Sequence, residues 1–120
     1  MILADTSVWV DHLRSGDARL AEFLDAAQVV IHRLVVAEVA LGSLRDRRQV
    51  LGLLDALPSV PLATPEEVRI LIEQRRLYGR GVGYVDASLV ASCLLAPGTV
   101  LWTRDSRLAA VATEVGVAFA

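Results

Sequence analysis

Four carboxylic acids, Asp5, Glu38, Asp86 and Asp105, stand in stretches of sequence that otherwise read as protein interior. Asp5 is the only charged side chain from Met1 to Val10, and Glu38 the only one from Leu34 to Leu44. Asp86 opens a run that carries no further charge as far as Thr103. Carboxylates are rarely buried unless they are paired or hold a cation. If the four converge, two of them about 4 Å apart repel by roughly 4 kcal/mol at an effective dielectric near 20, before desolvation is counted. Something positive has to offset that. Mg²⁺ or Mn²⁺ is the natural candidate, because hard cations take oxygen ligands and Mg²⁺ uses few carboxylates while keeping waters and substrate phosphate. His12 and His32 are too widely separated, and Cys93 too isolated, for a zinc site.

Taken singly, each acid has a plainer use. Asp5 or Asp86 can cap a helix N-terminus, a position where Asp is strongly favoured. Glu38 can pair with Arg33 or Arg45, although neither stands in an i, i+4 relation to it. Asp105, between Arg104 and Arg107, can form a surface ion pair.

The elements that must position these acids follow from apolar spacing and capping residues. Ile2 to Ala4 is a short apolar run of the kind found in central strands, with Asp5 at its C-terminal end. Thr6 or Asp5 caps a helix through about Leu13, and Asp17 starts a second with Leu20, Phe23 and Leu24 on one face. Val29 to Ile31 reads as a buried strand, and Leu34 to Leu41 as a helix closed by Gly42 in a left-handed cap. Asp46 to Leu57 has helical spacing and ends at Pro58, and Val60 to Leu62 reads as a strand. Thr64-Pro65-Glu66-Glu67 combines an N-cap, a proline at the first helical position and acids in the first turn, which predicts a helix to about Tyr78. Gly79 to Gly83 is a loop, Tyr84 to Ala96 a largely buried helix, and Val100 to Trp102 a strand leading into Asp105. A last helix covers Arg107 to Glu114, and Val117 to Phe119 reads as an edge strand.

Strands alternating with helices predict an α/β fold, with right-handed crossovers and helices on both faces of a mainly parallel sheet of four or five strands. In such sheets ligands bind beyond the C-terminal strand ends, where strand order reverses. Asp5 and Asp105 stand at that edge.

The whole chain has 120 residues, 54% of them hydrophobic, which suits one compact domain over 1–120. A net charge of -2 gives no global attraction for nucleic acid or an anionic membrane, so a polyanion must be held locally. All 12 basic residues are arginine, which suits bidentate phosphate recognition and equally fits a genomic composition bias. The single cysteine excludes an internal disulfide, and the first residues carry no cleavable leader pattern, so a cytoplasmic protein is expected. Asp86 and Pro97-Gly98 argue against a membrane span across the apolar stretch from Gly81 to Thr103.

Ile2-Leu3-Ala4-Asp5-Thr6-Ser7, Glu38 within its apolar helix, Val85-Asp86-Ala87-Ser88-Leu89-Val90-Ala91 and Leu101-Trp102-Thr103-Arg104-Asp105 together resemble the PIN-domain nucleases, specifically the VapC-type toxins of prokaryotic toxin–antitoxin modules. The likeness covers essentially the whole chain, and the order and spacing of the motifs make it specific. It implies a three-layer α/β/α domain and an Mg²⁺- or Mn²⁺-dependent endoribonuclease acting on RNA. It also implies a homodimer inhibited by a small cognate VapB-type antitoxin whose C-terminal part occupies the active-site groove. Carried over by position, Asp5, Asp86 and Asp105 match metal ligands, and Glu38 matches a ligand or an acid that orients water. Ser7 and Thr103 match supporting polar positions. Some relatives have a fifth acid two residues beyond the Asp105 position, where this chain has Arg107, which argues against a second stably held metal.

Arg80 and Arg104 are candidates for holding RNA phosphate; Arg80 lies in the Gly79 to Gly83 loop, whose bland reading is a flexible turn. Arg75 and Arg76 could extend that surface or form a solvated helix face. Trp9, Trp102 and Phe23 read as core residues, with base stacking the alternative. A phosphate-transfer domain of the receiver or haloacid-dehalogenase kind also gathers acids at a sheet end, but it requires a lysine, and this chain has none. Two further alternatives are a free-standing nuclease of the same fold and a catalytically silent interaction module.

Overall fold

The computed structural model describes residues 1–120. Three parallel strands, β1 (Ile2–Ala4), β2 (Val29–Val30) and β3 (Val100–Trp102), form a sheet in the order β2-β1-β3. Ile2 lies opposite Val29 on one side and Val100 on the other, and Ala4 is paired with Trp102. Seven helices surround the sheet: α1 (Thr6–Ser15), α2 (Ala18–Asp25), α3 (Arg33–Ala40), α4 (Arg47–Ala56), α5 (Pro65–Arg75), α6 (Tyr84–Leu95) and α7 (Ser106–Val115).

The expected fourth and fifth strands shrink to single bridges. Ser59 pairs with Ile31 beside β2, and Ala118 pairs with Leu101 beside β3, both parallel. Val60 to Leu62 therefore forms no strand, because Pro58 and Val60 engage only the two backbone groups of Ile31. Pro61 then lacks the amide that would continue a ladder.

Capping explains most helix starts. Asp5, Asp17 and Asp105 each accept a backbone amide of the helix that follows, and Thr64 with Glu67 completes a capping box in front of Pro65. Two expected boundaries move. Gly42 does not take the left-handed conformation, and α5 stops at Arg75 because Arg76 adopts φ +53°, three residues before the expected end. Asp46 precedes α4 without a side-chain cap and is itself left-handed.

The core runs from Leu3 and Ala4 through Val8, Leu20, Val29, Ile31 and Val35 to Leu89, Val90, Leu101 and Leu108. Full burial of one such leucine stabilises the fold by about 1.5–3 kcal/mol. Helices α1 and α4 pack on α3, whereas α6 packs on α5 and β3. β1 connects outward to β2 on one side, and the chain returns to β3 on the other. The order therefore reverses beside β1, and the C-terminal ends of β1 and β3 flank that switch point.

Candidate active site

Asp5 follows β1 directly, and its amide donates to the Trp102 carbonyl at 2.9 Å, which seats it beside the end of β3. Its carboxylate is buried and densely held. The Val8 amide and the Ser7 hydroxyl donate to Oδ1, and the Thr103 hydroxyl donates to Oδ2. Ser7 Oγ in turn accepts the Arg104 amide at 3.1 Å, and Thr103 Oγ1 accepts the Asp105 amide at 3.0 Å. Ser7 and Thr103 thus fix the carboxylate from two elements.

Asp105 is exposed and spends Oδ1 on the Arg107 and Leu108 amides at the start of α7. It makes no ion pair with Arg104 or Arg107. Glu38 is half-buried on α3 and receives the Thr6 hydroxyl at 2.5 Å; it pairs with neither Arg33 nor Arg45. By sequence Thr6 reads as a helix start. Its hydroxyl sits next to Asp5 in sequence yet serves an acid on another helix, a pairing no local pattern announces.

Asp86 lies in the first turn of α6, half-buried. Burial pushes its carboxyl above the ordinary carboxylate range, partly offset by the Gly83 backbone, and the negative charges of Asp5, Asp105 and Glu38 push it further. The four acids therefore share one electrostatic neighbourhood. The three ion pairs of the molecule, Arg80 with Glu114 and Arg104 with Asp11 and Asp17, include none of them.

The expected tight cluster is not closed. No three His, Cys, Asp or Glu side chains are gathered into a ready-made metal cage. The physical reason is that Asp5, Glu38 and Asp105 are drawn toward protein hydroxyls and amides, which take up part of their lone pairs. The donor set still fits a hard cation, because it is all oxygen, uniformly negative and without a basic counter-ion, and Mg²⁺ completes its shell with waters and phosphate.

Both arginines considered for phosphate binding are engaged elsewhere. Arg80 forks onto Glu114 with contacts of 2.5 and 2.9 Å. Arg104 reaches Asp11 at 2.9 Å and Asp17 at 2.5 Å, so it ties the loop after β3 to the corner between α1 and α2. Arg107 lies across Gly81, whose φ of +76° suits only glycine well; a Cβ there would stand 2.6 Å from the Arg107 Nη1. Trp102 is half-buried and stacked on Phe119 at 4.8 Å, with Phe23 edge-on, so its ring belongs to an aromatic cluster of the fold.

A groove of about 490 Å³ opens beside Glu38 between α1, α3 and α4, with Val10, Leu13, Val39 and Leu44 as apolar walls and Arg14 and Arg45 among its lining. No helix is long and apolar enough to cross a membrane.

The family model for the PIN domain matches residues 2–114. Over 120 residues the chain is 52% identical to a protein named ribonuclease VapC32 from Mycobacterium tuberculosis strain CDC 1551 / Oshkosh, covering all of this chain and 97% of that one. The same figures hold for ribonuclease VapC32 of strain H37Rv. Among solved structures, PAE2754 from Pyrobaculum aerophilum superimposes with a TM-score of 0.66 at 20% identity, over 91% of this chain and 82% of that one, a likeness of fold.

Proposed function

The chain belongs to the PIN-domain family, and from that footing we propose that it is the endoribonuclease toxin of a type II toxin–antitoxin module. The full-length 52% identity to a ribonuclease of the VapC type supports the activity. The observation that carries the site is Asp86, half-buried and within reach of the charges of Asp5, Asp105 and Glu38, with no basic partner for any of them.

In this reading Asp86, Asp5 and Asp105 hold Mg²⁺ or Mn²⁺, and Glu38 completes the set. A bound divalent ion supplies a water of lowered pKa and neutralises charge building on the phosphoryl oxygens. Asp5 presents a carboxylate whose rotamer is locked by Ser7, Val8 and Thr103, so little ordering is left for the moment of binding. Glu38 keeps its second oxygen clear of the Thr6 bond and can orient the attacking water or take its proton. Asp86 is charged only while the site is above its raised pKa, or once a cation compensates it. Arg104 acts through the fold, holding the Thr103–Asp105 loop against α1 and α2, and the phosphate contact is left to side chains with no ion pair.

A small VapB-type antitoxin fits the groove beside Glu38: its apolar walls suit a peptide's side chains, and an occupant would lie against that carboxylate. Residues 1–120 act as one nuclease domain in the cytoplasm, working as a homodimer.

The test is direct. Purified protein should cleave RNA with Mg²⁺ or Mn²⁺, and cleavage should vanish with EDTA and in Asp5→Asn and Asp86→Asn; equal cleavage in all samples would reject the proposal.

A further inference from the structure

His32 and Ser92 are polar, almost completely buried and unused by the site: His32 is 2% exposed and Ser92 not at all. They stand 60 residues apart and meet at 3.1 Å between Nε2 and Oγ. On its other side the imidazole is the N-cap of α3, where the Leu34 amide donates to Nδ1 at 3.0 Å. An Nδ1 that accepts leaves the ring hydrogen on Nε2, which donates to Ser92. Burial holds the imidazole below its ordinary pKa, in keeping with this neutral form. Both ring nitrogens are thus satisfied, one by the helix that carries Glu38 and one by the helix that carries Asp86.

α3 packs chiefly on α1 and α4, and α6 on α5 and β3, so this bond is a direct polar link between two helices whose main contacts lie elsewhere. We propose that the buried His32–Ser92 hydrogen bond is a strut that sets the position of Glu38 relative to Asp86, making both residues positioning residues for cation binding and cleavage. The inference rests on the site reading above.

The lever arm is favourable. Glu38 stands six residues beyond its helix cap, about 9 Å along the axis, so a tilt of about 10° at the His32 end moves its Cα by roughly 1.5 Å. Misplacement by about 1 Å can cost on the order of 100-fold in rate. The Thr6 bond holds Glu38 toward α1 but gives no reference to α6. On α6, Ser92 likewise stands six residues from Asp86 and reports the seating of that helix below the sheet edge.

The experiment uses Ser92→Ala, which deletes the acceptor, and His32→Asn, which keeps a capping oxygen but is too short to reach Ser92. Cys93→Ala, a neighbouring buried position outside the site, serves as a control for simple loss of packing. Mn²⁺ affinity of each folded protein is measured by calorimetry, alongside kcat and KM for RNA cleavage and thermal unfolding. The strut predicts that both variants weaken Mn²⁺ binding and lower kcat on the order of tenfold, with KM within about twofold, and that the double variant is no worse than either single one. Cys93→Ala should lower the melting temperature without weakening Mn²⁺. Affinity and kcat within about twofold of the parent in Ser92→Ala and His32→Asn would overturn the strut, as would an equal loss in Cys93→Ala. Asp86→Asn separates the two readings: if it too leaves Mn²⁺ binding and cleavage intact, the site reading falls and the strut with it; if it abolishes both while Ser92→Ala and His32→Asn stay within about twofold of the parent, the strut alone falls.

Discussion

Thr103 donates its hydroxyl hydrogen to Asp5 and accepts the Asp105 amide on the same oxygen, so one side chain joins the acids that follow the neighbouring strands β1 and β3. The pairing spans 98 positions of sequence and fixes the switch-point edge of the sheet in one geometry. Thr103→Ala should therefore weaken Mn²⁺ binding and cleavage by about 10- to 100-fold, as losses of hydrogen-bonded support around metal ligands do. Thr103→Ser keeps the hydroxyl and should retain most of both. Calorimetry and an RNA cleavage assay would decide it; equal activity of the Ala and Ser variants would count against the coupling.

Asp86 yields a prediction with opposite signs for stability and activity. Its folded pKa is raised by burial and then by its acidic neighbours, so the folded state prefers the protonated form. This group costs stability progressively as pH rises from its unfolded pKa through the raised folded value. Asp86→Asn removes that cost. In EDTA at pH 7 the variant should melt above the parent, while Mg²⁺ should raise the melting temperature of the parent and not of the variant. As pH falls through the raised value, cation binding should weaken because Asp86 takes up a proton. Scanning calorimetry across pH, with and without Mg²⁺, reads both effects.

Asp17 behaves the other way. The Leu20 amide, with Arg104 after it, holds its carboxyl below the ordinary range despite some opposing desolvation. Its stabilisation is present above the unfolded pKa and is lost as pH falls through the lower folded value. Asp17→Ala should cost about 1 kcal/mol at pH 7, the usual worth of an N-cap, and the difference from the parent should narrow in acid by the share that the charge contributes. Asp17→Asn keeps the cap and should recover most of the loss. Urea unfolding at pH 7 and at strongly acid pH would show whether the gap narrows without closing.

Gly81 carries the loop that leads to Asp86. Gly81→Ala should destabilise by roughly 1–2 kcal/mol from the left-handed backbone alone. The Arg107 guanidinium that a Cβ would meet belongs to an exposed, flexible side chain and can swing aside. Adding Arg107→Ala should therefore not rescue the variant; full rescue would show that the clash, not the backbone, sets the cost.

Cys93 is buried on α6, and burial pushes its thiol up to about 12. Thiolate is the reactive form, so the folded protein should resist thiol reagents at neutral pH. Labelling should follow the rate of opening and become fast only in denaturant. Rapid labelling of the native protein, followed by mass spectrometry, would refute this.

The parts of the molecule legible in the sequence are those written by short-range rules. Asp5 and Asp17 cap helices where aspartate in front of an apolar repeat says they should, and Thr64 to Glu67 forms its box within four residues, whereas Asp105, which reads as an ion-pair partner, caps α7 instead. The isolation of Glu38 and Asp86 in apolar sequence marks them as unusual, and the charges of Asp5, Asp105 and Glu38 all act on Asp86. Partner choice was not legible. Arg80 prefers Glu114, and Arg104 prefers Asp11 and Asp17, because the turns of the chain bring those carboxylates within reach. Likewise His32 looked unremarkable until Ser92 met it across the fold. Spacing shows where carboxylates lie in the chain but not which hydroxyls compete for them, so the bonds of Thr6 to Glu38 and of Thr103 to Asp5 were not legible.

Asp5 and Asp105 each start a helix with the same carboxylate that, on the proposed reading, would hold the cation. Activity and foldedness are therefore written in one atom group at both positions, and they come apart only along certain substitutions. Alanine removes both together. Asparagine and serine still cap a helix nearly as well as aspartate while giving up the charge. A lineage of this fold drifting from nuclease toward silent scaffold thus has an open road through asparagine or serine at these two sites, and a closed one through alanine.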